Sequence, residues 1–153
     1  ATGVLDGFRD LYAAEWTAVM AAKIGVDDMS LAMELLDIMS EGQGDFTNVF
    51  RALTTAPGRA RDEVLTRDRF DDWQARWLAR NPDTAAMGRA NPAIIPRNHR
   101  VEEAIAAAYT GDFAPFHALN AVLTDPWQET EANAPYRIPA AAHERVTQTF
   151  CGT

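Results

Sequence analysis

Apolar residues recur at spacings of three and four along most of this chain, which places them on one face of an α-helix. In LDGFRDLYAAEWTAVMAAKIG, Leu5, Phe8, Tyr12, Trp16 and Val19 keep that spacing, and Gly25 follows as a stop. VDDMSLAMELLDIMSEG repeats the pattern with Leu31, Leu35, Ile38 and Met39, opened by Asp27 or Asp28 and closed by Gly42. GDFTNVFRALT sets Phe46, Val49, Phe50 and Leu53 on one stripe, with Asp45 as a cap. FDDWQARWLAR groups Phe70, Trp73 and Trp77, and Pro57 with Gly58 breaks the chain between these two helices.

The segment from Asn98 to Thr124 predicts a helical hairpin. Asn98 is expected to cap its first helix, whose buried stripe would be Val101, Ile105, Ala108 and Tyr109. Glu102 and Glu103 lie near the positive end of that helix. In TGDFAPF, Gly111 stops one helix, Asp112 caps the next, and Pro115 falls in a first turn, where a missing N–H costs little. Phe116, Leu119 and Leu123 continue the apolar stripe. Residues 125–153 have prolines and little periodicity, and read as an extended tail pinned by Trp127 and Tyr136. Strand signals are absent. The expectation is an all-α single domain over 1–153, with about six to seven helices ending in that Pro-rich tail.

Composition narrows the function classes. A chain of 153 residues suits one domain and can bury roughly 70% of its unfolded surface. No apolar run reaches the ~18 residues that a membrane helix needs, so no membrane partner is expected. The net charge is −8, with 14 basic against 22 acidic residues, which argues against nucleic acid, since its binders neutralise phosphates with Lys and Arg. A single cysteine, Cys151, cannot form an internal disulfide framework or a cysteine-based zinc site, and a reducing cytoplasmic compartment is the default. The start, ATGVLDGFRD, shows no signal-peptide pattern, and Ala1 fits either loss of an initiator Met or a cut from a longer protein.

Candidate chemistry is sparse. GQGDFT begins like a glycine-rich phosphate loop, but Thr47 stands where the third glycine belongs and a helix precedes it. The plainer reading is a helix stop followed by a cap. His99, Glu102 and Glu103 share a helix face, which suits a metal or acid–base work, but bundle metal sites need such a motif from a second helix. Arg97 suits an anion clamp or a loop-fixing salt bridge. The low-ranking polar cluster is therefore Arg97, His99 and Glu102, with no catalytic, cofactor or metal residue assigned in this chain. RARDEVLTRDRFDD alternates signs and reads as a solvated face.

Four blocks carry a resemblance: DFTNVFRAL, FDDWQARW, NPAIIPRNHRVEEAIAAAYTGDFAPFHALNAVL and the ending TFCGT. Together they resemble the C-terminal region of the selenoprotein O, or YdiU-type, family. That resemblance implies a parent enzyme with a kinase-like fold, a protein adenylyltransferase that moves AMP from ATP to protein hydroxyl groups with Mg or Mn. The family's nucleotide and metal residues belong to the part before this region, and none has a match here. The family's terminal Cys or selenocysteine carries over onto Cys151, where it implies a redox role; the cysteine it pairs with in bacterial members is absent from this chain.

The leading expectation is thus a non-catalytic C-terminal helical region that supports the missing kinase-like core, shares the parent's protein substrates and presents Cys151. The resemblance also leads to the expectation of exposed apolar surface where that core would sit. The alternative is a stand-alone helical interaction module. A thiol oxidoreductase using Cys151 ranks lowest, for want of a resolving cysteine.

Overall fold

The computed structural model describes residues 2–145, with side chains described from residue 7 onward. Cys151 and the TFCGT ending lie outside the described residues. Among the described residues the fold is all-α, with no strand: seven α-helices, α1 (Thr2–Ile24), α2 (Met29–Glu41), α3 (Phe46–Thr55), α4 (Arg67–Leu78), α5 (Thr84–Ala90), α6 (Asn98–Tyr109) and α7 (Ala114–Leu123). Short 3₁₀ helices cover Pro57–Glu63, Ala134–Arg137 and Ala142–Glu144. The chain forms two compact units, Ala1–Asn91 and Pro92–Thr153.

The first unit owns a dense core. Trp73 and Trp77, one turn apart on α4, stack with centroids 5.6 Å apart and planes 10° from parallel. Both are fully buried, beside Phe70, Phe50, Leu35, Ile38, Leu53 and Met87. An indole N–H cannot be buried without an acceptor at little cost. Trp77 Nε1 donates to the carbonyl of Ile24 at 2.7 Å, one of the carbonyls that the end of α1 leaves without a helical partner. Trp73 Nε1 donates to Leu31 O at 2.9 Å. Sequence dictates the helix ends. Asp28 caps α2 through Leu31 N–H, and Asp45 caps α3 through Asn48 N–H. Gly25 has φ +70°, and a Cβ there would meet the Asp83 backbone at 2.9 Å, so both conformation and space require glycine.

Asn91 closes this unit. Its Nδ2 donates to Lys23 O at 2.8 Å and to Thr54 Oγ1 at 2.9 Å. Its Oδ1 accepts from Lys23 Nζ at 3.3 Å, and its carbonyl accepts from Arg51 Nη1 at 3.1 Å. One buried amide therefore ties α1, α3 and the end of α5 together. Lys23 Nζ also lies 5.3 Å and 5.2 Å from the Phe46 and Phe50 ring centroids. Partial burial holds the Lys23 pKa below its usual range.

The N-terminal part of α1 departs from this packing. The helix forms as its spacing predicts, and Met20 and Ile24 are buried. Residues 7–19, however, are all exposed, including Phe8, Tyr12, Trp16 and Val19.

In the second unit, α6 and α7 form the expected hairpin. Gly111 adopts φ +87° at the turn, and Asp112 Oδ1 accepts from Ala114 N–H at 2.9 Å. Two expectations are corrected. The residue at the N-cap of α6 is Arg97, not Asn98, which is already inside the helix. Its carbonyl accepts from Arg100 N–H and Val101 N–H, so the backbone turn after Pro96 sets the helix start without a side-chain cap. The stripe of α6 is also not buried as read: Ala104 is buried, Val101 and Ala108 are half-buried, Ile105 is exposed and Tyr109 is 90% exposed. Within the unit α7 is the helix packed most closely on α6, and one helix covers only part of a helical stripe.

The described part of the tail is folded locally instead of extended throughout. Asn133 is buried and organises it: its Oδ1 accepts from Thr130 N–H, its N–H donates to Thr130 Oγ1, and its Nδ2 donates to Gln128 O. Arg137 pairs with Glu129 at 2.9 Å, and Pro135 sits in the first turn of the 3₁₀ helix.

Candidate functional site

The polar cluster read from the sequence lies at the start of α6. His99 and Glu102 line an open cleft of about 400 Å³ with Arg100, Glu103, Ala106 and Glu144. Arg97 is buried just before the helix and does not line that cleft. The structure thus brings together two of the three predicted residues.

The cleft's charges are mostly engaged in local structure. Arg100 Nη1 donates to Glu103 Oε2 at 2.8 Å and Arg100 Nη2 to Pro135 O at 3.2 Å. Glu144 Oε2 accepts from Ala141 N–H at 2.9 Å, and that backbone bond holds its carboxyl below the usual range, with His99, His143 and Arg100 adding charge attraction. His99 is buried, and its Nε2 has no hydrogen-bond partner among the described residues. No group of three His, Cys, Asp or Glu side chains among them has metal-holding geometry. His117 and His143 are exposed and do not line the cleft.

The glycine-rich stretch is spent on structure. Gly42 ends α2, and a Cβ there would meet Thr66 Oγ1 at 2.5 Å. A Cβ on Gly44 would meet Val64 at 2.9 Å and Val49 at 3.1 Å. Asp45 offers its own carboxylate to the Asn48 N–H at the start of α3, where a phosphate loop would leave such a donor open. These residues do not fit a nucleotide phosphate, and among the described residues the cleft beside His99 lacks the donor set for its metal.

A second feature was not assigned from the sequence. The α6–α7 hairpin carries an open groove of about 370 Å³ lined by apolar side chains, among them Ile105, Phe113, Phe116, Leu119 and Leu123. Its signal was the hairpin stripe itself; periodicity shows which residues share a face, not whether anything covers it. No helix among the described residues is long and apolar enough to cross a membrane.

No family model matches the chain. Single relatives do. It is 44% identical over 162 residues to "Protein nucleotidyltransferase YdiU" of Ruegeria sp. (strain TM1040), covering 100% of this chain and 34% of that protein. A protein of the same name from Roseobacter denitrificans is 44% identical, with 100% and 34% covered, and one from Rhizobium rhizogenes is 40% identical, again with 100% and 34%. Over its whole length the chain matches one part of YdiU-type proteins. It spans about a third of the length of the curated relatives it matches. The YdiU-like blocks within the described residues serve this fold: Asp45 caps a helix, Phe70, Trp73 and Trp77 form the core, and Asn91 closes the first unit.

Proposed function

We propose that this chain is a non-catalytic C-terminal helical region of a YdiU-type protein adenylyltransferase. In this reading the parent transfers AMP from ATP to protein hydroxyl groups, binds ATP with Mg or Mn through residues outside this chain, and works in the cytoplasm. This region supports the parent's kinase-like core and carries Cys151 as a redox-sensitive thiol. One observation carries the reading. The whole chain aligns with about a third of proteins named protein nucleotidyltransferase, and residues of its YdiU-like blocks cap helices and pack the core. The chain's own residues supply rigidity: the Trp73–Trp77 stack and the Asn91 clasp fix helix ends against one another.

The test is mass spectrometry of AMP incorporation into casein or the protein itself, with ATP and Mg, for the full-length protein and for this chain. Transfer by the full-length protein and none by the chain supports the reading. Transfer by the chain alone contradicts it. A Cys151→Ser variant that responds to oxidant as the native protein does removes the redox role and leaves the rest.

A stand-alone interaction module is the second reading, favoured by the uncovered apolar groove of α6 and α7. A reading frame that extends well beyond this chain in the manner of its relatives removes it.

A further inference from the structure

The geometry points to the exposed stretch of α1, from Phe8 to Val19, as a docking face for the remaining part of the same polypeptide. The inference rests on the reading above and adds the contact residues. Residues 7–19 are exposed on all sides of the helix, whereas Met20 and Ile24 of the same helix are fully buried. That bare stretch rises about 20 Å at about 1.5 Å per residue. Isolated helices of about 12–15 residues are marginal in water, so it gains little from its own hydrogen bonds.

Its apolar residues are also not scattered. Phe8, Leu11, Tyr12, Trp16 and Val19 are each more than a third exposed and follow helical spacing, the anchor pattern of a helix laid in an apolar groove. Phe8 and Tyr12 stack one turn apart at 6.4 Å. A contiguous aromatic face of this kind marks an interaction site on a soluble protein. The occupant follows from length. The relatives match all of this chain with 34% of their own sequence, which leaves about two thirds of each outside the match. A segment on the same polypeptide meets the face at high effective concentration, which no free partner matches.

The experiment is hydrogen–deuterium exchange by mass spectrometry on the protein expressed from its full reading frame, and on this chain across a range of concentrations. Amides 8–19 should exchange at least about a hundredfold more slowly in the full-length protein than in the chain. The double variant Tyr12→Asp, Trp16→Asp should lose that protection in the full-length protein while amides in α2 and α4 keep theirs. Fast exchange at 8–19 in a full-length product of the relatives' size overturns the docking face and leaves the functional reading standing. Protection in the chain alone that grows with concentration makes a second copy the occupant, and also overturns it. A product no longer than this chain, seen by intact mass, removes both.

Discussion

The two units of this chain bury their apolar residues very differently. In Ala1–Asn91, Leu35 and Ile38 of α2, Val49, Phe50 and Leu53 of α3 and Phe70, Trp73 and Trp77 of α4 are withdrawn from water, with Trp73 and Trp77 at 0% exposure. In Pro92–Thr153, Ile105, Tyr109, Phe113 and Phe116 stay exposed on a two-helix hairpin, and the buried polar residue Asn133 organises the chain that follows. Similar helical stripes thus end in a core in one unit and in an open groove in the other. The lesson is that amphipathic spacing specifies a face, while the number of neighbouring elements decides whether the face becomes a core. The bare end of α1 shows the same thing within a single helix.

The sharpest way to break this comparison is to hollow out the packed unit. Trp73→Ala should cost about 3–5 kcal/mol, because it leaves a cavity and removes the bond to Leu31 O. Urea unfolding followed by circular dichroism measures it, and a cost below about 1 kcal/mol would mean the core is not the source of stability. Asn91→Ala comes next, at about 1–3 kcal/mol, since Lys23 O, Thr54 and the Lys23 ammonium lose their shared partner. Ile105→Ser in the open groove should change the same midpoint by less than about 0.5 kcal/mol. A large loss there would show that the hairpin face is covered in solution.

The smallest effect is electrostatic. Arg76 donates to both oxygens of Glu34 at 2.9 Å and 2.6 Å, and this bond holds the Glu34 carboxyl below its ordinary 4.5. A carboxyl depressed on folding stabilises the fold above its unfolded pKa and loses that contribution as pH falls through the folded value. Arg76→Gln should therefore lower stability slightly at neutral pH, with the difference from the native chain vanishing as pH falls below 4.5. The pair is solvent-exposed, so added salt should shrink the difference too. A gap that widens in acid would contradict the assignment.

Much of the fold was legible because its signals are local. Asp28 and Asp45 cap helices with their own side chains, Gly111 turns at positive φ, Gly42 closes α2 where a Cβ would meet Thr66, and the Phe70, Trp73, Trp77 spacing marks a buried face directly. Helix α5 was not legible: TAAMGRA offers a single large apolar residue, Met87, whose burial depends on elements far away in sequence. Nor was the Asn91 clasp, since its partners Lys23 and Thr54 lie 68 and 37 residues away. At the candidate site, the shared face of His99 and Glu102 could be read from helical spacing. The arrival of Glu144 in the same cleft could not, because it depends on how the chain after Asn133 folds back.

The measurement that bears most directly on the central claim is titration calorimetry of ATP with Mg into this chain. The account predicts no heat beyond dilution, because Gly42, Gly44 and the α3 N-terminus are spent on packing and capping and the charged cleft lacks a metal donor set among the described residues. Saturable heat at one site would contradict it and would place a nucleotide site within these helices.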